Sequence, residues 1–247
     1  MGSRLVRQFT NAFGVGPTLS RALQQTWKIT RPSKIQQDAI PLALAGKDLM
    51  CCAQTGSGKT LVFLLPLLQR LAERRPWLAA PRGTTRPATP DALVLMPTRE
   101  LARQVAHVAT ELASALAVPP VVLCVTGGER FTPQKRALRR GDVRLLVATP
   151  ERLLYHEKEK SVSLRHVRWL AIDEADAMLC ASDGIRRETD SVLEVVILTA
   201  ATMSKEHEEF ARQWFPHLQR VDHVGVLVPT LRKRFIPVRG FKDEAST

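Results

Sequence analysis

Short, continuously apolar runs alternate along this chain with longer stretches in which apolar positions recur every three or four residues. The runs at 48–53, 92–97, 121–125, 144–148, 169–173 and 193–199 are dense in Val, Leu, Ile and Ala. A strand with one wet face would alternate apolar and polar residues, so these runs predict strands buried on both faces. Between them, 33–45, 58–73, 98–116, 132–140, 150–158 and 204–214 carry the spacing of amphipathic helices. Strand followed by helix, repeated, implies right-handed crossovers and a mostly parallel sheet flanked by helices on both faces. One α/β domain accordingly spans 1–229. Two segments break the rhythm. Residues 75–90 hold four of the sixteen prolines and predict a flexible surface insertion. After 214 the pattern becomes irregular, and 230–247, with its basic knot Arg232-Lys233-Arg234, reads as an exit segment.

Composition narrows the class. Of 247 residues, 45% are hydrophobic and 24% charged, an ordinary globular balance. The longest apolar runs, 61–68 and 192–199, fall far short of the roughly 18 residues a membrane span needs. No membrane partner is expected. The 36 Lys and Arg against 24 Asp and Glu give a net charge of +12, which points to a polyanion, nucleic acid foremost. Cys51, Cys52, Cys124 and Cys180 contain no CxxC pair and read as small core residues in a reducing compartment. The six histidines show no metal-ligand spacing.

The strongest chemical signal is Ala53-Gln54-Thr55-Gly56-Ser57-Gly58-Lys59-Thr60, set between a buried strand and a helix. Glycines there let successive backbone N–H groups converge on phosphate oxygens, and the helix N-terminus favours the same anion. Lys59 then places a charge on the β and γ phosphates, and Thr60 offers a hydroxyl to Mg²⁺. A second signal, Asp173-Glu174-Ala175-Asp176, ends the fifth strand. Carboxylates at a strand's C-terminal end face the same crevice as a phosphate loop. Asp173 can therefore hold Mg²⁺ through water, and Glu174 can orient or deprotonate an attacking water.

With these two motifs the chain resembles the DEAD-box ATP-dependent RNA helicases over nearly its whole length, as their N-terminal RecA-like, P-loop domain. Pro32-Ser33-Lys34-Ile35-Gln36 is similar to the family's Q motif, within a region spanning 9–36. The resemblance implies that Gln36 reads adenine; an amide donates to N7 while accepting from N6, a pairing guanine does not offer. It also implies an aromatic residue stacked on the base, with Phe9 the better-spaced candidate and Phe13 the alternative. Pro97-Thr98-Arg99-Glu100-Leu101 matches motif Ia, Gly127-Gly128 the family's glycine pair, and Thr149-Pro150-Glu151-Arg152 its TPGR motif. Pro97, Thr98, Arg99, Gly128, Thr149 and Arg152 are thereby implied to bind RNA through its backbone, independently of sequence. Glu151 stands where glycine is usual, and a carboxylate beside phosphates is unfavourable. Lys135, Arg136, Arg139, Arg140 and Arg144 are expected to form a basic cluster near this face.

Motif III departs from the family. Ala200-Ala201-Thr202 replaces Ser-Ala-Thr, so the serine hydroxyl that helps tie this strand to the acids is missing. Thr202 remains, and Thr199 offers a substitute hydroxyl. Asp176, Ala200 and Thr202 are the residues implied to couple hydrolysis to strand separation. The family's second RecA-like domain, with its arginine finger, has no counterpart after Thr202. Without such a finger the rate falls on the order of 10³–10⁵, so the domain alone is expected to be nearly inactive. The first 37 residues carry no acid before Asp38, a composition that fits an organellar transit segment, yet the nucleotide site needs them. The nucleus, nucleolus or cytoplasm therefore stand ahead of the mitochondrion. The expectation is a monomeric, ATP- and Mg²⁺-dependent RNA helicase; the alternative is an ATP-dependent RNA clamp or RNP-assembly scaffold that unwinds little.

Overall fold

A computed structural model describes residues 14–73, 87–117, 121–140, 142–179 and 193–224. In chain order the elements are α1 (Pro17–Gln25), α2 (Lys34–Leu44), β1 (Leu49–Ala53), α3 (Lys59–Glu73), β2 (Ala92–Leu95), α4 (Arg99–Ser114), β3 (Val121–Val125), α5 (Phe131–Leu138), β4 (Val143–Ala148), α6 (Pro150–Lys158), β5 (Trp169–Ile172), α7 (Ala175–Met178), β6 (Val195–Ala200), α8 (Lys205–Trp214) and β7 (Gln219–His223). The seven strands form one sheet in the order β3-β4-β2-β5-β6-β1-β7. Every pairing is parallel.

Alternate residues of each strand feed two different cores, as a period of two requires. Leu49, Cys51, Val94, Val147, Ala171 and Ile197 pack with α1 to α4 on one face. Met50, Cys52, Leu95, Leu146, Ile172, Leu198 and Ala200 pack with α5 to α8 on the other. The apolar runs carry no alternation because both sides of the sheet are dry. Burial pushes the Cys51 thiol up to about 12 and the half-buried Cys124 up to about 11, so both behave as uncharged core groups.

The structure revises the sequence reading in several places. α1 and β7 are not among the expected elements: α1 opens with Pro17 and buries Leu19, Ala22 and Leu23 at helical spacing, whereas the segment of β7 carries little strand signal. β7, reading Gln-Arg-Val-Asp-His, runs beside β1 at the edge of the sheet and buries only Val221. An edge strand with one wet side needs few apolar residues. The distal part of the expected insertion is packed: Ala88 is fully buried and bridges Val162, its N–H on Ser161 O at 3.0 Å. Residues 75–86 of that insertion, like Phe9, Phe13, Cys180 and 230–247, lie outside the described residues.

Candidate active site and nucleic-acid interface

Because all strands are parallel, their C-terminal ends share one edge of the sheet, where such folds hold ligands. The order β5-β6-β1 sets Asp173, just after β5, and the phosphate loop, just after β1, on either side of β6. The loop turns through Gly56 at φ +82° and Gly58 at φ +88°, a region side chains seldom adopt. It is braced from behind by Gln36, which is 4% exposed. Gln36 Oε1 accepts from Ser33 N at 3.0 Å, the glutamine half of a capping box at the start of α2, while Nε2 donates to Gly58 O at 3.0 Å. A Cβ on Gly58 would stand 2.3 Å from Gln36 Nε2. Both amide atoms thus hold protein partners, with one N–H and one lone pair left for a base.

Lys59 folds back onto the loop, its Nζ donating to Ala53 O and, at 3.1 Å, to Gln54 O. Burial lowers its pKa from the ordinary value, and the charges of Asp173, Asp176 and Glu174 oppose that shift. These carbonyls occupy the ammonium donors that phosphate oxygens would otherwise take. Thr60 sits in the first turn of α3, half-exposed. Gln54 and Ser57 are also half-exposed, and Thr55 is exposed.

Asp173 Oδ1 accepts from Thr199 Oγ1 at 2.5 Å and from the Glu174 N–H at 3.0 Å. A hydroxyl of β6 therefore does hold the first acid, from the position before Ala200. Ala200 itself is fully buried against the α7 side of the sheet and brings no polar atom. Glu174 is exposed and lies in the left-handed region at φ +51°, a conformation that costs about 1 kcal/mol or more in a residue with a Cβ. Partial desolvation, then the charges of Asp173 and Asp176, raise its pKa above the ordinary carboxylate value, against the pull of Lys59. Among the described residues, neither Asp176, half-exposed in α7, nor the exposed Thr202 takes a side-chain hydrogen bond.

On the other side of β5 the ends of β2, β4 and β3 frame a groove of 840 Å³. Thr98 caps α4, its Oγ1 accepting from Leu101 N at 3.3 Å, and Thr149 occupies the same place before α6. The guanidinium of Arg99 lies over the glycine pair, so that a Cβ on Gly128 would come 2.0 Å from Nη1. Arg152 Nη2 donates to Glu129 O at 3.0 Å. Pro97, Glu100, Glu151 and Tyr155 complete the walls, and Ala177 and Met178 of α7 close the end. One short helix therefore carries an acid of the nucleotide side and lines the groove.

The family model for DEAD/DEAH box helicases matches residues 33–210, more than half of the chain. The chain belongs to that family. The ATP-dependent rRNA helicase RRP3 of Lodderomyces elongisporus is 38% identical over 84% of this chain and 39% of its own length. The ATP-dependent RNA helicase mak5 of Sclerotinia sclerotiorum is also 38% identical, over 73% of this chain and 23% of its own length. A crystallised DEAD box protein from Methanococcus jannaschii superposes with a TM-score of 0.71 at 27% identity, covering 85% of this chain and 54% of the other. The chain thus spans about two fifths, or less, of the two curated relatives.

Within this DEAD-box domain the expected basic cluster is dispersed. Arg144 pairs with Asp91 beside the opposite, N-terminal ends of β2 and β4, and Lys135 pairs with Glu159 at 3.1 Å. Since α5 runs from the end of β3 back to the start of β4, Arg139 and Arg140 also leave the groove side. Gln134 and Glu129 carried no motif, yet they organise the groove wall. Gln134 Nε2 donates to Thr126 O at 3.0 Å and Glu129 Oε2 at 2.9 Å, and Arg103 Nη2 donates to Glu129 Oε1 at 2.9 Å. A buried polar residue on an otherwise amphipathic helix was the only signal for Gln134. Among the described residues no helix is long and apolar enough to cross a membrane.

Proposed function

We propose that this chain is the ATP-binding lobe of a DEAD-box RNA helicase, in which ATP turnover is coupled to RNA binding and local duplex opening. The observation that carries the reading is the position of β5. Its end supplies the acids to the phosphate loop across β6, while α7 directly after it lines the groove. Gln54, Thr55, Gly56, Ser57, Gly58 and Thr60 hold the phosphates, Lys59 exchanges its two carbonyl partners for them, and Gln36 reads adenine with its spare N–H and lone pair. The polar groups present fit Mg²⁺: the Thr60 hydroxyl and the Asp173 carboxylate, its Oδ1 oriented by Thr199, would hold it, largely through water. Mg²⁺, when bound, neutralises phosphate charge. Glu174, with its raised pKa, orients and accepts a proton from the attacking water. Thr98, Arg99, Gly128, Thr149 and Arg152 hold the RNA backbone, with Pro97 shaping the turn, and Asp176 with Thr202 couples the two sites.

A second RecA-like domain in the full-length protein completes both sites, the whole acting as a monomer. The naming of RRP3 as an rRNA helicase supports an rRNA-class substrate and, with it, the nucleolus. The test is ATP turnover by the full-length protein with and without single-stranded RNA, beside Glu174→Gln. RNA-stimulated turnover that the variant abolishes supports the reading; turnover indifferent to RNA sinks it. The clamp reading rests on Ala200, which leaves motif III without its hydroxyl. Turnover without duplex unwinding would favour it.

A further inference from the structure

The groove contains an aromatic side chain to which the motifs give no role. Tyr155 is the only tyrosine in the chain and keeps 48% of its surface exposed. It stands on α6 three residues after Arg152 and four after Glu151, so all three share one helix face and line the groove together.

Its ring is held rather than loose. Phe131 meets it edge-on, centroids 4.8 Å apart at 69°. Phe131 in turn stacks on His156 at 4.6 Å and 21°, with Lys135 Nζ 5.2 Å from its centroid. His156 is fully buried, and its Nε2 lies 3.0 Å from Gln134 Oε1. A column of three rings thus rises from the core and ends in an exposed aromatic surface beside Arg152 and the starts of α4 and α6. Guanidinium groups that follow a phosphate backbone, combined with a rigid ring in the same channel, form the composition of a single-strand site. Every base has a π face, so such a ring adds affinity without demanding a sequence.

We propose that Tyr155 is a stacking platform for one nucleobase of single-stranded RNA lying in the groove. The inference rests on the RNA reading above and adds a base-dependent component to binding otherwise made through phosphates.

The test uses the full-length protein with the non-hydrolysable analogue AMP-PNP. Its ligands are a fluorescein-labelled decauridine and the same strand built from abasic ribose. Tyr155→Ala is expected to weaken decauridine binding about 10-fold and to leave the abasic strand nearly unchanged, with the salt dependence intact. Tyr155→Phe keeps the ring and should bind both strands as the unaltered protein does. Equal weakening of both strands, no weakening of either, or a Tyr155→Phe defect as large as that of Tyr155→Ala overturns the proposal. Arg152→Ala serves as the reference, weakening both strands and lowering the salt slope. If the unaltered protein fails to bind decauridine at all, the RNA reading itself falls, and this inference with it.

Discussion

The two halves of the sheet's C-terminal edge are built on opposite plans. On the nucleotide side, Lys59 and Gln36 are held by the chain's own carbonyl and amide groups, and Asp173 by Thr199. On the groove side, Thr98, Arg99 and Tyr155 stand exposed around an open volume, and the fixed contacts lie behind them in Glu129 and Gln134. A loop whose lysine and bracing glutamine already hold protein partners keeps its shape without ligand, but a nucleotide must displace the carbonyl bonds of Lys59. A groove where Thr98 and Arg99 stand exposed needs little such exchange, beyond the Arg152 bond to Glu129 O, and gains from counterions released by the incoming strand. The nucleotide half is therefore sensitive to geometry, whereas the groove half is sensitive to charge and salt.

The largest effect separates chemistry from binding. Glu174→Gln in the full-length protein should lower ATP turnover about 10²- to 10⁴-fold, while filter binding of RNA and nucleotide persists. Loss of RNA binding in this variant would mean the two halves are not separable. The paired glycine changes sharpen the contrast. Gly58→Ala drives a Cβ into buried Gln36 at positive φ and should cost about 1–3 kcal/mol in denaturant unfolding, together with nucleotide affinity. Gly128→Ala meets only the end of exposed Arg99, which can swing aside; it should cost less stability and weaken RNA binding without touching nucleotide. Equal stability losses would show that backbone strain alone, and not the rigidity of the neighbour, sets the cost.

Smaller still is Thr199→Val, which removes the hydrogen bond to Asp173 and should cost about 1–2 kcal/mol, with Thr199→Ser restoring it. Calorimetry of the three proteins decides this. The remaining test is pH. Burial, then the charges of Arg152 and Lys135, lower the His156 pKa from 6.5 to about 4, with Glu159 opposing. The unfolded chain takes up this proton first. The stability His156 contributes is thus fully present above pH 6.5 and is lost between 6.5 and about 4, on the order of 1 kcal/mol per unit. His156→Leu should flatten that part of the profile.

Much of this was legible from residues in order. Among the described residues, six of the seven strands and six of the eight helices follow apolar spacing, and the phosphate loop and acids follow from motifs whose geometry is local. Apart from α1, whose Pro17 and apolar spacing are local, what escaped was non-local. β7 is a strand only because β1 offers it an edge, and Ala88 is ordered only because Val162 lies beside it. Arg144 looks like a member of a basic stretch until Asp91, fifty-three positions earlier, neutralises it.

The sequence by itself determined the alternation of elements, hence a buried parallel sheet, and the chemistry at each strand's end. Burial on two faces leaves a strand little choice of composition, and a glycine-rich turn before a helix can do little but present amides. Tertiary structure alone decided which ends are neighbours. It set β6 between the loop and the acids, gave Thr199 rather than Ala200 the bond to Asp173, and raised Tyr155 on a column of rings at the groove. Strand order and side-chain reach across it depend on distances between residues far apart in the chain, which spacing along a sequence does not encode.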